Sequence, residues 1–388
     1  MVKNTADRML AISAFYVMAI LKRAKELEAQ GRDVIHMEIG EPDFPTPQTI
    51  VDAGIEFLQS GEVKYTAAAG LPQLREKIAA FYQNQYGVAV ASERIFITPG
   101  ASGAFLLALG VSLNPGEELL MADPCYPCNS NFARLFGAVP RALPVTADTS
   151  YQLTAGQIKQ HWHSKSKGVL IASPSNPTGT LIAADALDEA IEATNALGGC
   201  FYSDEIYHGL VYGQTANTAL QFSDDVFVIN SFSKYFGMTG WRIGWLVVPE
   251  LFIPAAEKLA QNIFIATSTH SQYAALAAFA PETLVELERR RAELAIRRDF
   301  LYSNLVDLGF HIPSKPQGAF YIYADCSKFT DDSFQFALDF LEQEAVAITP
   351  GKDFGVHNAH QYLRFAYTTT VDKMAIAMQR LERFINKG

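Results

Sequence analysis

The sequence predicts an α/β fold, a mostly parallel sheet with helices on both faces, joined to a second, smaller α/β domain. Three observations lead there. Short apolar runs alternate with helical patterns through the middle of the chain. The polar residues suited to chemistry follow those runs directly. From about Glu282 the pattern changes, and a long charged helix begins. Alternation of this kind is how βαβ units read in a sequence. The 388 residues, 49% hydrophobic and 19% charged, supply apolar side chain for two or three lobes.

The apolar run from Met9 to Leu21 follows Lys3 and Arg8 and resembles the core of a signal peptide. It is too short to span a bilayer, has no small-residue cleavage site, and continues into Lys22-Arg23-Ala-Lys25-Glu26 as a helix. That helix is expected from about Tyr16 to Gln30, with Gly31 as its stop. Glu41-Pro-Asp-Phe-Pro-Thr-Pro47 must be extended, because proline disfavours helix at the residue before it. Buried strands are expected at Arg94 to Thr98, Glu118 to Ala122, Gly168 to Ala172, Gly199 to Tyr202 and Val226 to Ile229. Helices lie between them, for example Ala104 to Ser112 and Asp185 to Leu197. The long helix from Glu282 to Leu308 opens the second domain, followed by strands around Gly318 to Tyr323 and short helices. The N-terminal helix is expected to join that domain. The final stripe Val371, Met374, Met378, Leu381 and Ile385 has helical spacing and reads as core packing.

Charge and cysteines narrow the function. A formal charge of -10 argues against non-specific nucleic-acid binding, which needs surplus Lys and Arg. Cys125-Tyr-Pro-Cys128 has redox or half-metal spacing, but no second pair accompanies it, and four cysteines make no disulfide framework. His161-Trp-His163 reads as two surface imidazoles. No metal and no membrane are expected, and a reducing, cytoplasmic setting fits best.

In an open α/β sheet, ligands bind beyond the carboxyl ends of the strands. After Thr98 come Pro99-Gly100-Ala101-Ser102-Gly103, small residues opening a helix whose N–H groups could hold a phosphate, or form a plain turn. After Ala172 comes Asn176-Pro177-Thr178-Gly179, which is also good tight-turn chemistry. After Tyr202 comes Ser203-Asp204-Glu205-Ile206-Tyr207. A carboxylate in a cleft needs a cation or donor, and a protonated ring nitrogen would serve, although Asp204 could equally cap a helix. After Ile229 comes Asn230-Ser231-Phe-Ser233-Lys234, running on to Arg242 and Gly244. A lysine in apolar surroundings has a lowered pKa, which frees its amine as a nucleophile toward an aldehyde. Ser231, Ser233 and Arg242 would supply donors and positive charge for a phosphate.

Taken together, these residues resemble the fold-type I pyridoxal-phosphate (PLP) enzymes, specifically the class I and II aminotransferases, with bacterial aspartate aminotransferases as the nearest subgroup. The likeness covers about Gly40 to Arg364. It implies a large domain, residues 46–285, built on a seven-stranded, mostly parallel sheet. Residues 1–45 together with 286–388 would form the small domain. It implies a cytoplasmic homodimer that moves an amino group between an L-amino acid and a 2-oxo acid.

The resemblance also implies roles. Lys234 carries PLP as a Schiff base and shuttles the proton. Asp204 pairs with the pyridine nitrogen and makes the ring an electron sink. Asn176 and Tyr207 bond the ring's phenolic oxygen, and Tyr126 stacks on the ring. Ala101, Ser102, Ser231, Ser233 and Arg242 hold the phosphate, joined by Tyr65 from the other subunit. Arg364 and the Gly40 backbone take the substrate α-carboxylate, and Gly318-Ala-Phe-Tyr321 matches a small-domain strand.

One departure bears on substrate. Where some bacterial aspartate aminotransferases carry a lysine for the distal carboxylate, this sequence has Ser102. With Phe15, Tyr16 and Ser102 as the side-chain neighbours, neutral donors are expected over aspartate, and glutamate would serve only if an arginine such as Arg23, or one from the partner subunit, swings in. Two alternatives share the residue set. A carbon–sulfur β-lyase uses the same groups, and a PLP-sensing regulator would need a DNA-binding segment ahead of Gly40, where only one helix is read.

Overall fold

The computed structural model describes residues 5–12 and 15–387. Its main sheet has seven strands in the order Ile95–Thr98, Gly244–Val247, Val226–Ser231, Cys200–Asp204, Ser166–Ala172, Glu118–Asp123 and Val139–Pro144. Gly244–Val247 alone pairs antiparallel, with both its neighbours. Both faces are covered, so successive strand residues enter different cores. Ile95, Ile97, Val169, Ile171, Val226 and Val228 pack in one cluster, while Phe96, Leu170, Phe227 and Ile229 pack in another.

The five strands expected from the sequence are present, most of them slightly longer than expected. Val139–Pro144 and Gly244–Val247 were not anticipated. Val139–Pro144 is an edge strand with two prolines and Arg141, so it carries no buried-strand pattern. Gly244–Val247 begins two residues after Arg242, and its four residues are too few to show a period.

A third core joins the two ends of the chain. Ile20, Ala24 and Leu27 from the helix Tyr16–Ala29 meet Phe340, Leu341, Met374 and Leu381. The helical spacing of Ile20, Ala24 and Leu27 is therefore core packing, whereas Phe15, Val17, Met18 and Leu21 of the apolar run ending at Leu21 line a cavity instead. That run is not one helix. Asp7–Ala11 is a separate 3-10 turn, Ile12 is extended, and residues 13–14 lie outside the described residues. Two small sheets support this core: Ile35–His36 beside Val346–Ala347, and Thr349–Pro350, Tyr362–Ala366 and Tyr321–Asp325 together. The helix Pro281–Asp307 runs unbroken between cores, with Leu287 against the large sheet and Leu294, Leu301 and Leu305 against the smaller ones. Among the described residues no helix is long and apolar enough to cross a membrane.

Candidate active site

The carboxyl ends of the parallel strands share one edge of the large sheet, and a cavity of about 440 Å³ opens there. Each strand delivers its polar residues as the chain leaves it. Asp204 ends Cys200–Asp204, Asn176 follows Ser166–Ala172, and Ser233 and Lys234 follow Val226–Ser231. Tyr126 comes after Glu118–Asp123, and Ala101 and Ser102 open the helix Gly100–Ser112. Gly40, Tyr207, Arg242 and Arg364 complete the expected set on the cavity wall.

Lys234 reaches across to the other side of the cavity, where its Nζ donates to the Gly40 carbonyl at 2.7 Å. Desolvation pushes its ammonium down to about 8, against the Glu41 carboxylate, with Arg364 and Arg242 adding to the depression. Asp204 is buried and forms no ion pair among the described residues, its Oδ1 accepting the Ile206 N–H at 3.3 Å. Burial pushes its carboxyl up to about 7, and the Ile206 N–H and the charge on Lys234 only partly offset this.

Arg364 is held from three directions. Nη1 donates to Asn176 Oδ1 at 2.9 Å, and Nη2 to the Glu38 carbonyl at 2.5 Å and Thr349 Oγ1 at 3.2 Å. Its Nε is buried with no acceptor among the described residues, the kind of unpaired donor that a carboxylate ligand completes.

At the other end lies an anion cradle. The first N–H groups of Gly100–Ser112 have no intrahelical partners and sit at the positive end of the helix dipole. Gly100 has φ +68°, and a Cβ there would stand 2.6 Å from Arg242 Nη2, so the guanidinium packs on bare backbone.

Two expected residues stand off the cavity wall. Ser231 is buried behind Ser233: its hydroxyl donates to the Ile243 carbonyl at 3.1 Å and accepts the Ser233 N–H at 3.0 Å. Tyr65 is 82% exposed, away from the cavity of its own chain. Of the residues expected near a substrate side chain, Phe15 and Ser102 line the cavity, but Tyr16 does not. Its ring packs edge-on against Phe334 at 5.0 Å. Arg23 is tied to Glu342 and Glu26.

The structure adds residues that the sequence did not single out. Tyr321 Oη lies 3.1 Å from Tyr207 Oη, and its ring lies 4.1 Å from the Arg364 guanidinium. A Cβ at position 40 would meet Tyr321 Oη at 2.1 Å, which explains the glycine there. Val17, Met18, Leu21, Phe105, Phe132 and Phe354 make one side of the cavity apolar, with Phe105 stacked on Phe132 at 5.2 Å.

Known proteins resemble this chain along its whole length. The family model described as aminotransferase class I and II matches residues 32–381. A (5-formylfuran-3-yl)methyl phosphate transaminase of Methanocaldococcus jannaschii is 38% identical, covering 98% of this chain and all of the relative. A valine–pyruvate aminotransferase of Mycobacterium tuberculosis is 37% identical over 95% of this chain and 96% of its own. An aspartate aminotransferase of Geobacillus stearothermophilus is 34% identical over 98% of each. The crystal structure of an aminotransferase from Mycobacterium tuberculosis superimposes with a TM-score of 0.96 at 35% identity, each chain fully covered.

The chain belongs to the class I and II aminotransferases, on the fold-type I architecture. Its cofactor is PLP and its reaction is transamination between an amino acid and a 2-oxo acid. The residues present fit that cofactor: a cradle for the phosphate, a buried acid with no ion-pair partner for the ring nitrogen, and a depressed amine for the aldehyde.

Proposed function

We propose that Lys234, Asp204 and Arg364 divide the work of transamination on neutral L-amino acid donors. Bound PLP supplies an aldehyde carbon for the amine and a ring that accepts the electron pair released at the substrate Cα. Lys234 would hold the cofactor through its amine, and that amine, when neutral, would take up the proton released at the substrate Cα. The Gly40 carbonyl orients that amine. Asp204 keeps the ring nitrogen protonated, which also relieves its own unpaired burial. Asn176 and Tyr207, both on the cavity wall, would hold the ring oxygen, and Tyr126 would cover a face of the ring. Ala101, Ser102, Ser233 and Arg242 hold the phosphate, with Ser231 positioning Ser233. Arg364 grips the α-carboxylate beside Gly40.

One observation carries the choice of donor. Among the described residues, the only cations on the cavity wall are Lys234, Arg242 and Arg364, each with a role already, and Phe15, Val17, Met18, Leu21, Phe105 and Phe132 add apolar surface beside the carboxylates of Glu38, Glu41 and Asp353. The names of the relatives point both ways, valine on one and aspartate on another. The wall favours valine-like donors, because burying a second carboxylate without a partner costs several kcal/mol. Mixing the holoenzyme with a panel of amino acids and following bleaching of the cofactor's absorbance tests this. Fastest bleaching by aspartate would refute it.

The active form is a cytoplasmic homodimer in which Tyr65 reaches the neighbouring phosphate site. Its exposure, outside the cavity of its own chain, supports that reading. Residues 46–285 make the large domain, and residues 1–45 with 286–388 the small one. Two cores support the division in outline, although Leu287 packs in the large-sheet core and Tyr207, Leu210 and Tyr212 pack in the other.

A further inference from the structure

The apolar side of the cavity depends on a helix with no cap of its own. Phe15, Val17, Met18 and Leu21 line the cavity from the helix Tyr16–Ala29 and the residue before it. Phe15 occupies the N-cap position and offers no side-chain acceptor, so the first helical N–H groups need partners from elsewhere. Asp353 supplies them from 337 positions further along the chain. Its Oδ1 accepts the Tyr16 N–H and its Oδ2 the Val17 N–H, both at 2.7 Å. A carboxylate at this end of a helix is also favoured by the dipole.

The same turn touches the carboxylate clamp. Asp353 closes Gly351–Asp353, directly after the strand Thr349–Pro350, in which Thr349 pairs with Arg364. The next residue, Phe354, packs its ring 4.8 Å from the Arg364 guanidinium. Asp353 is itself buried against the cavity, while its neighbour Lys352 is paired with Asp332. One short turn therefore links the group that grips every substrate to the wall that meets only its side chain.

We propose that Asp353 is a positioning residue for side-chain selection, holding the N-terminal helix so that Phe15, Val17, Met18 and Leu21 close around an apolar substrate side chain. The inference rests on the cavity being the substrate site, as proposed above.

Steady-state rates of the holoenzymes with leucine and with alanine as donors test it. In Asp353→Ala, the KM for leucine is expected to rise about tenfold, the usual scale of a lost helix cap. The KM for alanine, whose methyl does not reach the wall, changes far less, and the cofactor's absorbance stays. Asp353→Asn, which keeps one acceptor oxygen, restores most of the leucine affinity. Phe15→Ala reproduces the leucine defect, and combining it with Asp353→Ala adds little, since both remove the same wall. Amide hydrogen exchange gives a readout independent of turnover: the first turn of Tyr16–Ala29 exchanges faster in Asp353→Ala. Equal losses for leucine and alanine, or unchanged exchange in that turn, would overturn the proposal while leaving the donor class standing. A wild-type enzyme that accepts neither leucine nor alanine would overturn the donor class and the proposal with it.

Discussion

Lys234 Nζ sits 2.7 Å from the Gly40 carbonyl, joining the strand-end loop of the large sheet to the segment in which the Glu38 carbonyl holds Arg364. If Arg364 takes the α-carboxylate as proposed, this contact would hold the amine on the side of the cavity where the substrate α-carbon would lie. Borohydride reduction of the purified holoenzyme should fix the cofactor to Lys234. Lys234→Ala should keep PLP only through its phosphate and ring contacts and lose transamination by several orders of magnitude. Recovery of the reduced adduct on another lysine by peptide mapping would sink the assignment.

The depressed lysine also predicts a pH profile. Only the neutral amine attacks an aldehyde, and the Lys234 ammonium loses its proton near 8, well below the ordinary lysine value. Capture of PLP by the cofactor-free protein should therefore be level above that pH. Below it, the rate should fall about tenfold per pH unit as the ammonium fills. The rate is read from the growth of the bound cofactor's absorbance in stopped flow. A midpoint near 10 would mean that Lys234 is solvated like a surface lysine.

Asp204 illustrates how much of the site was legible and why. Its position after an apolar run was enough to place it at a strand end, since both faces of that strand are buried and the run is unbroken. Asn176 and Lys234 were legible for the same reason. Tyr321 was visible only as part of a strand, because nothing local shows that its hydroxyl meets Tyr207. Asp353 was silent: the helix it caps begins 337 residues earlier, and no pattern along the chain records such a pairing. Tyr16 was misplaced by one helical step, since its neighbours Phe15 and Val17 face the cavity while its own ring turns to Phe334.

Replacing Asp204 by alanine should leave much of the PLP bound while removing the acid that holds the ring proton. A buried ion pair at that nitrogen is worth a few kcal/mol, so the rate should fall on the order of a hundredfold or more. Single-turnover rates at saturating donor measure this directly. A variant that transaminates at near wild-type speed would reduce Asp204 to a helix cap.

Subunit mixing tests the composite site. Combining inactive Lys234→Ala subunits with weakened Tyr65→Phe subunits creates hybrid dimers. In each hybrid, one site has both substitutions and the other has neither. The site with both Lys234 and a partner's Tyr65 intact should recover activity that neither parent shows. Activity no greater than the sum of the parents, or a fully active monomer in light scattering, would refute the arrangement.

The choice of donor follows from what meets the side chain. In the proposed role, Arg364 would pair with the α-carboxylate of any amino acid and so impose a requirement without discriminating. Discrimination would fall to the rest of the lining, where Phe15, Val17, Met18, Phe105 and Phe132 are apolar, Ser102 offers only a hydroxyl, and no free cation faces the cavity among the described residues. Arg23, the arginine on the N-terminal helix that could have served glutamate by swinging in, is engaged by Glu342 and Glu26. Aspartate would therefore bury its distal carboxylate against aromatic and aliphatic carbon, a cost of several kcal/mol, whereas leucine or phenylalanine gains from the same surface. Donor specificity, measured as kcat/KM with a common 2-oxo acid, should favour leucine and phenylalanine over aspartate by about a hundredfold or more. Ser102→Lys should narrow that gap by giving the distal carboxylate a partner. Aspartate outpacing alanine, leucine and phenylalanine tenfold would overturn the argument and point to a cation contributed by the partner subunit.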